Sequence, residues 1–159
     1  MSIGRLITGS ILAMGLVVGA AGGVLAAEGH SHGESGPKIE LVLNKGAKWQ
    51  TDAMLRRGMT DLRNDMAAAL PQIHRGTLTA SDFAALAGKV DQRLQFITEN
   101  CKLTPEADEQ LHVVLASILD GVDDMKGASH QEDGAVKIVE ALALYPKYFD
   151  HQGWAPLSE

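Results

Sequence analysis

Residues 51–73, TDAMLRRGMTDLRNDMAAALPQI, decide the fold. Leu55, Met59, Leu62, Met66, Ala69 and Ile73 recur at steps of four, three, four, three and four, which is one apolar stripe on an α-helix. Arg56, Arg57, Asp61, Arg63 and Asp65 fill the positions between, so one face suits a core and the other suits water. Thr51 is the expected N-cap, and Asp52 favours the positive end of the helix dipole. Pro71 is expected to kink the last turns and Arg75-Gly76 to end them.

Three more segments repeat this pattern. Thr79 or Ser81 with Asp82 opens a second helix, in which Phe83, Leu86, Val90, Leu94, Ile97 and Cys101 make an inward row. Thr104-Pro105-Glu106 opens a third: a capping hydroxyl, proline at the first helical position, then an acid in the first turn. Its seam is Ala107, Leu111, Val114, Ile118, Val122 and Met125, widened by Leu115 and Leu119, and Lys126-Gly127 closes it. A fourth helix is expected from about Glu132 to Tyr145 through Val136, Ile138, Val139, Leu142 and Ala143, with Pro146 bending or ending it. The segment Tyr148 to Trp154 is too aromatic for a free end and is expected to fold back on the helices, or to continue the helix past a kink. Four helices with short connections predict an all-α domain over residues 49–154, an antiparallel up-down-up-down four-helix bundle, with 155–159 as a tail.

Residues ahead of this domain read differently. Met1 to Ala27 carries only Arg5 as a charge, then 22 uncharged residues ending in the small-x-small pattern Val24-Leu25-Ala26. That is the pattern of an export signal, expected to deliver the chain to the periplasm. Its length would also serve as an uncleaved anchor, but its glycines and small exit residues favour removal, leaving no membrane insertion of the mature chain. Residues 28–48 are expected to be a flexible leader, polar and glycine-rich from Glu28 to Pro37, with Ile39–Leu43 lying extended on the helices.

Composition narrows the function. Without Arg5 the remaining 13 basic and 20 acidic residues leave a net charge of −7, and no basic stripe exists to displace phosphate counterions, so no nucleic-acid partner is expected. The chain has no HExxH, GxSxG or phosphate loop, and no Glu-x-x-His pair on two helices, so it is not expected to be an enzyme. What it does carry is soft donors. Cys101 is the one cysteine of an exported chain, where cysteines are usually paired. In an up-down bundle Met59, Cys101, His112 and His151 fall toward one end, with Met59 and His112 each about 12 Å into its helix. Met54 is a weaker candidate at the same end. Each also has an ordinary reading: Met59 as core, Cys101 as a small buried hydrophobe, His112 as a solvated residue, His151 as a helix-end cation. The leader holds His30-Ser31-His32. Cleavage after Ala27 would leave Glu28-Gly29-His30, whose amine, amides and imidazole suit square-planar Cu(II); a cut one residue earlier would not.

Gly58-Met59-Thr60-Asp61-Leu62-Arg63-Asn64-Asp65-Met66 resembles the first helix of the soluble periplasmic cytochrome b562 family. Phe149-Asp150-His151-Gln152, after Tyr145 and Tyr148, resembles the end of its fourth. The resemblance covers about twenty residues closely, besides the architecture. It implies a four-helix bundle that holds a non-covalent b-type haem (heme b) and transfers electrons, with Met59 and His151 as axial ligands and Leu111 and Leu115 lining the haem pocket. The absence of CxxCH excludes covalent attachment. Pro146, Cys101 and His112 depart from the family's pattern. The donor set itself also fits copper through Met59, Cys101, His112 and His151, for electron transfer, storage or delivery. Zinc would leave the methionines without a role. In the haem and copper readings alike the expected partner is a redox or metal-delivery protein. A bundle with a purely structural or helix-binding role is the third reading.

Overall fold

A computed structural model of the chain describes residues 40–157. The expected signal peptide, and the leader as far as residue 39 with its histidines, lie outside the described residues. The domain is all-α with four helices: α1 (Ala53–His74), α2 (Ala80–Asn100), α3 (Pro105–Lys126) and α4 (Gln131–Tyr148). Two very short strands, β1 (Trp49–Gln50) and β2 (Phe149–Asp150), pair in parallel with Trp49 opposite Phe149. Among the described residues no helix is long and apolar enough to cross a membrane.

Local chemistry sets each boundary. Asp52, not Thr51, caps α1, its carboxylate accepting the Leu55 N–H at 2.7 Å. Thr51 is freed to donate its hydroxyl to the Asp150 carbonyl at 2.5 Å, which fastens the start of α1 to the end of the chain. Thr79 and Asp82 form the reciprocal capping box of α2. Thr104 caps α3 with Pro105 in its first turn. α4 starts one residue before the expected Glu132, behind His130 in the left-handed region (φ 66°). Pro146 lies in its last turn, and after Tyr148 the backbone becomes extended.

Consecutive helices pack on one another, and α1 also meets α4. Leu55, Met59, Leu62 and Met66 are fully buried, as the stripe predicts. Beyond Met66 the buried position is Leu70 rather than Ala69, because a straight helix drifts relative to a strict seven-residue repeat. In α4 the expected Ile138 and Leu142 are buried and Val139 packs on the core, but Val136, at 52%, and Ala143 are exposed. Ala141 and Tyr145 also face inward. α3 and α4 cross closely, where a Cβ on either Gly121 or Gly134 would lie 2.5 Å from the other's carbonyl oxygen. Leu119, expected to widen the α3 seam, is instead 46% exposed.

The segment before α1 lies on the domain as an extended run. The Val42 N–H donates to the buried Gln110 side chain on α3 at 2.8 Å, Leu41 packs on the core, and the Trp49 indole N–H reaches the Val42 carbonyl at 2.7 Å. A tight turn at Lys45-Gly46, both with positive φ, reverses the chain between Asn44 and Ala47.

Candidate functional site

Cys101 packs half-buried against the core, as its inward row predicts, but from outside the helix. The helix ends at Asn100, and Cys101 is its C-cap with extended backbone (φ −72°, ψ 147°), so helical periodicity no longer sets the direction of its side chain. The half-buried thiol lines a cleft of about 530 Å³ between the end of α2 and the first turns of α3. Leu111, His112 and Leu115 line the same cleft, together with Asp108. Leu111 and Leu115 are almost fully buried and form its apolar wall, whereas the His112 side chain is 68% exposed.

The hydrogen bonding of His112 fixes its tautomer. Nδ1 lies 2.8 Å from the Asp108 carbonyl oxygen, which can only accept, and 3.5 Å from its carboxylate, so in the neutral ring the proton sits on Nδ1 and Nε2 carries the lone pair. Metal-bound histidines have this arrangement, one nitrogen donating to a carbonyl and the other free for the ion. The thiol is held protonated: burial pushes its pKa up, and the carboxylates of Asp52 and Asp108 push it further. Asp52 has a second part in the cleft. One carboxylate oxygen caps α1 and the other accepts the Lys102 N–H at 2.5 Å, fixing the loop that carries Cys101. The sequence shows Asp52 only as a helix-start acid, because its partner lies fifty residues away.

Met59 and His151 sit elsewhere. Met59 has no exposed surface and belongs to the core. His151 lies on the segment after β2, half-buried, with Nε2 at 3.3 Å from the Thr60 hydroxyl of α1 and Nδ1 at 3.2 Å from the Tyr145 hydroxyl of α4. Its ring packs edge-on to Trp154 and Tyr145, at 5.0 and 5.7 Å between centroids. Tyr145 in turn stacks on Phe149 at 5.2 Å. Burial, and then Arg56, hold the His151 pKa below its ordinary value, and burial raises that of Tyr145. Met54, the weaker candidate, is 40% exposed on the first turn of α1.

The four donors do not all line one cleft. Among the described residues no group of three or more His, Cys, Asp or Glu side chains is placed to hold a metal ion. Cys101 and His112 share a cleft, and neither Met59 nor His151 lines it. The two separate because Cys101 leaves its helix at the C-cap, while His151 is carried back onto α1 by an extended segment. In this packing both ring nitrogens of His151 are hydrogen-bonded, to Thr60 beside Met59 and to Tyr145, and Met59 is fully buried.

Comparison with family models, curated proteins and solved structures returns no match. The likeness to the cytochrome b562 family therefore rests on the resemblance of residues 58–66 and 145–152 and on the four-helix architecture.

Proposed function

We propose that this chain is an exported copper-binding protein that takes Cu(I) at Cys101 and His112 and passes it to a metal-delivery partner. It acts as a binder rather than an enzyme, and its helices run up-down-up-down. The observation that carries the reading is that the one thiol and an imidazole with a free Nε2 line the same cleft. Thiolate is a soft ligand that selects Cu(I) over harder ions. Leu111 and Leu115 supply an apolar wall that limits water, and the exposure of His112 leaves the ion within reach of a partner's ligands. The export signal read in residues 1–27 puts the chain where an unpaired cysteine is otherwise unusual. The up-down course is supported by Asp52, at the start of α1, holding Lys102, just past the end of α2, and by Thr51 holding Asp150 after α4.

Because the thiol must lose its proton to bind, copper uptake releases one proton, and affinity rises by about tenfold per pH unit below the thiol pKa. The test is competition for Cu(I) against a chromophoric chelator. One equivalent of copper is expected to bind, with affinity lost by Cys101→Ser, weakened by His112→Ala and unchanged by His151→Ala or Met59→Leu. A Soret band on adding haem that vanishes with Met59→Ala or His151→Ala would overturn this in favour of the haem reading. Binding neither copper nor haem would leave a structural or interaction role.

A further inference from the structure

We infer that the segment Phe149–Leu157 is an acid-sensitive strap, latched across α1 and α4 by His151 in its neutral form. The strap is pinned at several points. Beyond the β1–β2 pairing and the Thr51 hydroxyl on Asp150, Arg63 of α1 donates to the carbonyls of Ala155 and Pro156 at 2.9 and 2.8 Å. Of the side-chain bonds that hold it, the two made by His151 depend on a proton that exchanges near neutral pH.

A neutral imidazole has one donor and one acceptor nitrogen, and the two hydroxyls can match it in either tautomer. Protonation turns both nitrogens into donors. Thr60 and Tyr145 must then both accept, and the fully buried Tyr145 hydroxyl, whose one partner among the described residues is His151, is left with no acceptor there for its own proton. A stranded buried donor is costly. The surrounding charges do not relieve the new cation. From α1 the cationic Arg56 opposes it, and Asp52 is engaged with Leu55 and Lys102. Arg63 grips the strap further along, α4 contributes the un-ionised Tyr145, and Asp150 within the strap faces Gln50. Among the described residues no carboxylate lies within ion-pair distance of the His151 ring. His74 lines the cleft under the far end of the strap and does not contact His151.

The folded pKa of His151 lies below its ordinary value of about 6.5, so the closed strap binds the proton more weakly than the open one. The latch contributes fully above about pH 6.5, weakens as pH falls below that, and levels off beneath the lowered pKa. Release uncovers Tyr145 and the apolar surface of Leu70, Val139 and Pro146, which with Trp154 and Leu157 of the strap now encloses a cleft of about 210 Å³. The latch is separate from the copper site proposed above and stands whether or not copper binds.

Hydrogen exchange of the full chain, corrected for the intrinsic effect of pH, tests it. From about pH 7.5 to about pH 5, protection of the amides in 149–155 is expected to fall about tenfold relative to those of α2. In His151→Gln the ratio is expected to be flat with pH. In Tyr145→Phe, which keeps the histidine and strands no hydroxyl, the fall is expected to shrink. A flat ratio in the unaltered chain overturns the latch, and so does an undiminished fall in both variants.

Discussion

Asp52 ties three parts of this molecule together with one carboxylate. It caps α1, holds the loop of Cys101 through the Lys102 N–H, and adds negative charge near the thiol. Asp52→Ala is expected to lower stability by about 1–2 kcal/mol, measured as a shift of the urea midpoint. Asp52→Asn keeps one oxygen for the cap and loses less. It also removes the charge that helps keep Cys101 protonated, so the pH midpoint for alkylation of the thiol by iodoacetamide is expected to fall. An unchanged midpoint would mean that burial, the larger cause, and Asp108 hold the proton without Asp52. Most of this was hidden at the level of sequence. Acid at a helix start is legible, but a bond from Asp52 to Lys102 spans fifty residues and needs the helices packed. His112 was legible as a donor candidate, yet its tautomer became readable only from the carbonyl beside it.

Among the elements, α3 and α4 are held closest, at Gly121 and Gly134. Alanine at either glycine puts a methyl within 2.5 Å of backbone oxygen, and backbone cannot swing aside as a side chain can. Gly121→Ala and Gly134→Ala are each expected to cost about 1–3 kcal/mol, a fall in Tm of roughly 5–15 °C for a domain of this size. Gly88, inside α2, has nothing within 4 Å of its missing Cβ, and Gly88→Ala is expected to raise Tm by lifting helix propensity about 0.5–1 kcal/mol. Calorimetry of the three variants separates a packing requirement from a simple preference for alanine. The caps of α2 and α3 were legible because each is spelled by consecutive residues, Thr79 to Asp82 and Thr104 to Pro105. The inward face of α4 was legible in part: Ile138 and Leu142 are buried as expected, but Val136 faces water on the side away from them.

At the scale of the whole molecule, the proposed up-down course predicts distances. Spin labels at the exposed Met54 and Glu99 belong at one end, whereas Met54 and His130 belong at opposite ends, separated by about 30 Å, the length of a 22-residue helix. Pulsed EPR on the two pairs is expected to give a short and a long distance respectively, and equal distances would reject that course. The sequence alone determined that there are four helices, where α2 and α3 begin and which α1 residues as far as Met66 reach the core. These follow from spacings of three and four and from caps a few residues long. Only tertiary structure decided which donors meet. The side-chain direction of Cys101 depends on where α2 unwinds, and the place of His151 depends on a strand pair joining Trp49 to Phe149, one hundred residues apart. Such pairings leave no periodic trace in the chain, because they are set by the shape of the packed core and not by the helix repeat.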